Sequence, residues 1–223
     1  MRKIIYSLLA LTLLLSACGG KKEEDPAESG IMPIDEAEVV PNEEVVVTVN
    51  DEDILGNVYN LIYVQTKIQL YNLGQDIEDT ERIKDITLNT LVEQELFTQG
   101  AKEEGIEVTK EEVEAKYDDL MESNGESITD FLADYNLEHD AFKDQISFTL
   151  LLSEYMEEKL DITVSEEELK EIYDELKEQL EDLQEFDDIK DQLENQVINQ
   201  RQQEKVKELL DELKEKATIE THI

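Results

Sequence analysis

"VVVTV", Val45 to Val49, is the stretch on which the fold turns. All five residues are β-branched, and such a run fits a pleated, half-buried strand far better than a helix. Asn50-Asp51 follows with turn chemistry. From Gly56 the pattern is helical almost to the end. A two-residue period returns only in "ATIETHI", Ala217 to Ile223, where Ile219 alternates with polar neighbours. A lone strand leaves its backbone groups without partners. The two ends of the body are therefore predicted to pair, residues 45–49 with 217–221, as a small two-stranded sheet closing a mainly α domain.

Between these ends the spacing predicts a helix from about Asn57 to Leu73 and another from about Glu81 to Glu104. A third follows "TKEE", where Thr109 and Glu112 have capping-box spacing. A short fourth is read in "SITDFLADY", with Ile128, Phe131, Leu132 and Tyr135 on one face. A fifth runs from about His139 to Leu160. Ser165 and Glu168 form a second capping box and open a sixth. A long charged helix covers roughly Phe186 to Lys216, its apolar stripe carried by Ile189, Leu193, Val197, Val206, Leu210 and Leu213.

Upstream of Val45 the chain changes character. Arg2 and Lys3 precede an apolar run, Ile4 to Leu15, interrupted only by Ser7 and Thr12. A membrane-spanning helix needs roughly 20 apolar residues, so this run suits a cleaved signal. It ends in "LSAC", Leu15 to Cys18, which resembles the lipobox of bacterial lipoproteins. That resemblance implies cleavage after residue 17 and lipid on Cys18, the one cysteine of the chain. The fold is then expected to stand without disulfides. Residues 18–44 hold all three prolines and are expected to form a flexible acidic tether, reaching on the order of 28 Å. The folded domain is expected over 45–223.

Charge narrows the partners. The chain carries 20 basic and 58 acidic residues, a net charge of −38. Nucleic acid is excluded as a partner, because binding it needs cations that displace phosphate counterions. Anionic lipid heads are poor partners for the same reason, which leaves the lipid on Cys18 to hold the membrane. Such a surface favours solubility and could attract cationic or unfolded chains; a salty or alkaline habitat would select it equally well.

Enzyme signatures are missing, and no catalytic residue, metal ligand or cofactor is predicted. His139 and His222 have no second histidine at ligand spacing and read as solvated or capping residues. "DEDILG", Asp51 to Gly56, lacks the calcium-loop pattern. The anomaly lies in the first helix. Between Ile54 and Gln75 there is a single charge, Lys67. Val58, Tyr59, Leu61, Ile62, Tyr63, Val64, Ile68, Leu70 and Tyr71 spread around most of its circumference. A helix apolar all round is a central core helix; alternatively, Tyr59, Tyr63 and Tyr71 line a groove for unfolded chain, as adaptable rings with a wettable hydroxyl. The glutamine-rich "NQVINQRQQEK", Asn195 to Lys205, reads as a solvated stretch or as a polar wall.

The order of segments resembles the SurA-like and PrsA-like extracytoplasmic chaperones. "VVVTVNDEDI" is similar to their opening strand and turn, although Asp51 stands where relatives usually have glycine. "LNTLVEQELFTQGAKEEGIEVTKEEVEAKYDDL" resembles their long helix, connector and next helix, with Ala101, Gly105, Ile106, Val108 and Thr109 on the connector. "ITVSEEELKEIY", Ile162 to Tyr173, and the closing Phe186 to Glu220 continue the series. Many relatives carry a parvulin prolyl-isomerase domain before the closing helix; here Tyr173-Asp174-Glu175 is followed shortly by Phe186-Asp187-Asp188-Ile189, with no room for one. The resemblance implies a lipid-anchored, ATP-independent holdase for unfolded or partly folded secreted proteins, without isomerase activity. The alternative is an envelope adaptor that binds one folded partner.

Overall fold

The computed structural model describes residues 32–160, 162–179 and 184–223. After a single 3-10 turn at Glu36–Glu38, the order is β1 (Val45–Val49), β2 (Glu52–Leu55), α1 (Gly56–Asn72), α2 (Thr80–Glu103), α3 (Lys110–Asp134), α4 (His139–Lys159), α5 (Glu166–Gln179), α6 (Phe186–Lys216) and β3 (Ile219–Thr221). The mainly α reading therefore holds, and the predicted end-to-end pairing is present. Val47 faces Thr221 and Val49 faces Ile219 in an antiparallel register.

The sheet is three-stranded, in the order β2-β1-β3, where two strands were expected. The extra strand is "EDIL", and too few of its residues are apolar to give a periodic signal. It pairs with β1 through a tight turn at Asn50, whose φ of 58° lies in the left-handed region that asparagine tolerates. Asp51 is outside that region, so no glycine is required there. The Asn50 amide also donates to the Thr218 carbonyl at 2.7 Å, and the Thr218 amide to Asn50 Oδ1 at 3.0 Å, so one residue fixes both the turn and the approach to β3.

β1 is the centre of the sheet and is sealed. Val46, Val47 and Val49 are wholly buried, packed with Tyr59, Ile62 and Tyr63 of α1 and Ile83, Leu91, Val92 and Leu96 of α2. Side chains of this size stabilise by about 1.5–3 kcal/mol each when fully buried. A second cluster joins Leu61 of α1 to Ile128 and Leu132 of α3 and Phe142 and Ile146 of α4. Helix α1 thus feeds core on both sides, which accounts for apolar residues around its circumference. At Gly100 of α2 an added Cβ would lie 2.9 Å from the Tyr155 hydroxyl and 3.2 Å from Leu213, so glycine there lets α4 and α6 approach.

The short helix read at "SITDFLADY" is present as the second of two helical segments within α3, which meet at a non-helical kink at Asn124 (φ −142°, ψ 19°), where Asn-Gly weakens the helix. The stripe of α6 is present as expected and serves two partners. Ile189, Leu193 and Val197 pack on Leu169 and Tyr173 of α5, whereas Val206, Leu210 and Leu213 pack against the α2–α4 region. The glutamines between them line a shallow, open polar surface along one helix face.

The last part of the expected tether is also different. Residues 32–42 lie across α1 as a strap. Ile34 and Val40 pack on the main core, and Asn60 of α1 accepts from the Val40 amide at 3.0 Å while donating to the Val40 carbonyl at 2.8 Å. The Met32 amide donates to the Tyr135 hydroxyl at 3.0 Å. Gly56 makes room for the crossing: a Cβ there would lie 2.1 Å from the Pro41 carbonyl oxygen. No described helix is long and apolar enough to cross a membrane.

Candidate functional site

The three tyrosines proposed from sequence part company. Tyr59 and Tyr63 are 2% and 1% exposed, with ring centroids 5.6 Å apart inside the main core. Burial, with the nearby Glu81 and Glu38 charges, pushes the Tyr59 hydroxyl up to about 12. Burial also raises Tyr63, reinforced by its hydrogen bond to Glu38. Neither ring can meet another chain without opening the core, so the groove reading is corrected at both positions. Tyr71 is 61% exposed beside Leu73 at 64%, near the C-terminal end of α1. Cys18 lies outside the described residues.

The single charge of α1 has a structural role. Lys67 Nζ donates to both Glu38 oxygens, at 2.6 and 2.8 Å, and to the Pro33 carbonyl at 3.2 Å. The Tyr63 hydroxyl donates to Glu38 Oε2 at 2.6 Å. Burial alone would raise the Glu38 carboxyl, but hydrogen bonds from Lys67, Tyr63 and the Asp35 amide together hold it below the ordinary glutamate value. This network locks the strap and leaves no reactive group free.

The open concavity lies elsewhere. A cleft of about 370 Å³ runs between β2, the start of α1, α2 and α4. Leu91 and Leu151 form its buried floor; Ile54, Leu55, Val58 and Phe148 supply partly exposed walls, Leu55 being 38% exposed. Gln94 Nε2 reaches Gln145 Oε1 at 3.5 Å inside the lining, a long contact that holds neither amide firmly. Asp53, Glu95 and Asp144 also line it. Desolvation raises Glu95 above the ordinary glutamate value despite help from Gln99 and Lys102, and raises Asp144 together with the Asp140 charge. Among the described residues no lysine, arginine or histidine forms a salt bridge with these three carboxylates.

No single stretch of sequence announces this cleft, because its lining comes from four elements. Its nearest signal is Leu55 and Val58, apolar residues at the β2–α1 junction that the sheet does not cover. The histidines hold surface contacts: Tyr117 Oη lies 2.7 Å from His139 Nδ1 and Thr48 Oγ1 lies 2.8 Å from His222 Nε2. Among the described residues, no group of three or more His, Cys, Asp or Glu side chains is placed to hold a metal ion. The arrangement offers a trough with an apolar floor and an acidic rim.

Comparison with known proteins agrees with the fold. Residues 3–156 match the SurA-like N-terminal domain family. The chain is also 32% identical over 195 residues to the foldase protein PrsA of Caldanaerobacter subterraneus subsp. tengcongensis, a match covering 81% of this chain and 54% of that protein. It thus spans about half the length of that relative. With more than half of its length matched, and with the helical order and closing strand in place, the chain belongs to the SurA-like N-terminal domain family.

Proposed function

We propose that the chain is an extracytoplasmic holding chaperone, anchored to the bacterial membrane by lipid on Cys18, and that it retains short apolar segments of unfolded secreted proteins in the β2–α2–α4 cleft. The observation that carries the reading is that cleft, whose apolar floor of Leu91 and Leu151 lies open between β2, α2 and α4. Its volume sits at the lower end of ligand pockets, about 300–1,000 Å³. It therefore suits a few side chains of an extended segment, whereas a folded partner would require roughly 800 Å² of surface per side. The exposed Tyr71 and Leu73 offer a second small contact.

Holding needs neither ATP nor covalent chemistry provided affinity stays modest; micromolar binding corresponds to about −8 kcal/mol and releases spontaneously. The acidic exterior keeps a loaded complex soluble. Isomerase activity is not part of the proposal, since only residues 180–185 separate α5 from α6. Residues 1–17 would be removed as a signal, and residues 18–31 would serve as the tether below the strap. The test is aggregation of an unfolded secreted protein, followed by light scattering. Near-stoichiometric chain should slow it, and unchanged aggregation in low and high salt would refute holding. Cys18→Ala should release the protein from membranes. Affinity capture should recover many unfolded species; one stoichiometric folded partner would favour an adaptor instead.

A further inference from the structure

The cleft has a feature that an apolar trough for side chains does not need: it follows the free edge of a strand. In the order β2-β1-β3, β2 has β1 on one side and, among the described residues, no strand on the other. Successive side chains of a strand leave opposite faces of the sheet. Asp53, Ile54 and Leu55 are consecutive and all line the cleft. A space lined by three successive residues of an edge strand runs along that edge, beside Leu91, Phe148 and Leu151, where the outward backbone groups of β2 are available to pair with an added chain.

The charge at the same place is one-sided. Asp53 and Glu95 stand on the β2 and α2 sides and Asp144 on the α4 side, with Glu52 close enough to raise Glu95 further. The Lys102 charge acts on Glu95, and among the described residues no salt bridge joins the two. Asp53 is held by the Thr48 hydroxyl at 2.7 Å and Glu95 by Gln99 at 2.8 Å, so both are positioned although neither is neutralised.

Resting on the holding function proposed above, we propose that the preferred occupant is an extended peptide segment in which basic and apolar residues alternate. It adds as a further strand to the outer edge of β2, apolar side chains on the Leu91–Leu151 floor and basic ones on the opposite face beside Asp53, which the Thr48 hydroxyl holds there. Main-chain pairing would give affinity for many sequences, and the alternation would give the selection.

The test uses the full-length chain and fluorescent peptides read by anisotropy: one alternating lysine with valine, its glutamate counterpart, its serine counterpart, and the lysine peptide N-methylated at successive central residues so that neither edge can donate. The lysine peptide should bind best and weaken with salt. Replacing lysine by glutamate should cost about tenfold or more, and methylation about tenfold through the lost main-chain bonds. Asp53→Asn should weaken the lysine peptide severalfold more than it weakens the serine peptide. Equal binding of the lysine and glutamate peptides, or indifference to methylation, would overturn the inference. So would concentration-dependent dimerisation that competes with the peptide, which would make a second copy the occupant. If unfolded proteins are held in the cleft while charge and methylation make no difference, only this inference falls; if nothing is held, the holding function falls with it.

Discussion

Lys67 and Glu38 form a buried ion pair 2.6 Å apart, with side chains 8% and 5% exposed, and it joins the middle of α1 to a segment that sequence assigns to a tether. Removing one member of such a pair costs roughly 3–5 kcal/mol, because the other charge is left stranded. The strap has an escape that a core residue lacks, since it can lift into water. Lys67→Met is therefore expected to free residues 33–42, raising their hydrogen exchange while β1 and α2 stay protected. The double variant Lys67→Met/Glu38→Leu should recover much of the protection. Protection of the strap unchanged in Lys67→Met would contradict this.

The same pair predicts a pH dependence. The Glu38 carboxyl is held below its ordinary value in the folded state, so it adds stability above the unfolded value of about 4.3. That contribution should fade as pH falls through the lower folded value. Wild type should accordingly exceed Glu38→Gln in denaturation midpoint by a constant margin from neutral pH to about pH 5, and the margin should close in stronger acid. A margin that widened in acid would reverse the sign and sink the assignment.

Asn60 and Gly56 seat the other end of the strap. Asn60→Ala leaves both polar groups of Val40 without their partner, at about 1–3 kcal/mol if they stay buried. Gly56→Ala forces a Cβ into the Pro41 carbonyl and should cost a similar amount, on the order of 1–3 kcal/mol. Both are checked by urea denaturation. Additive losses would argue against one shared strap, since residues acting on the same segment couple.

How much of this was legible beforehand divides along physical lines. The helices announced themselves by period and caps: the Thr109–Glu112 capping box is present, with the Glu112 amide donating to Thr109 and the Thr109 amide to Glu112. β3 was readable because Ile219 alternates. The strap was not, since "PIDEAEVVP" has the composition of a linker and is ordered only by tertiary contacts. Its clue was Lys67, a lone charge on an otherwise apolar helix, which needed an acid from outside that helix. β2 and the cleft escaped because four residues carry no period and the lining is assembled from distant segments. Tyr59 and Tyr63 misled for the opposite reason: α1 packs on both sides, so its surplus of apolar residues is absorbed.

The α5–α6 pair has its own small core, Leu169, Tyr173 and Leu193, joined on the surface by the Arg201–Glu168 and Lys190–Glu166 ion pairs. Leu193→Ala should cost about 2–5 kcal/mol locally. Exchange is expected to rise across α5 and the first half of α6, while α1 and α2 stay protected. Uniform loss of protection over the whole chain would mean that this pair is part of one cooperative unit.

The two desolvated carboxylates of the cleft should carry a stability cost. Glu95 and Asp144 have raised values in the folded state, so their ionised forms oppose folding at neutral pH and the penalty vanishes in acid. Glu95→Gln and Asp144→Asn should each stabilise by roughly half a kcal/mol at pH 7, screening included, and by less near pH 4. Thermal melts at the two pH values decide it.

The most direct measurement is site-specific photocrosslinking to an unfolded secreted protein. A photoreactive residue at Phe148, inside the cleft, and another at Gln196, on the polar face of α6, should behave differently: the first should capture the unfolded chain in a salt-sensitive way, and the second should not. Equal capture at both positions, or none at Phe148 while aggregation is still suppressed, would place the grip on unfolded protein somewhere other than the β2–α2–α4 cleft.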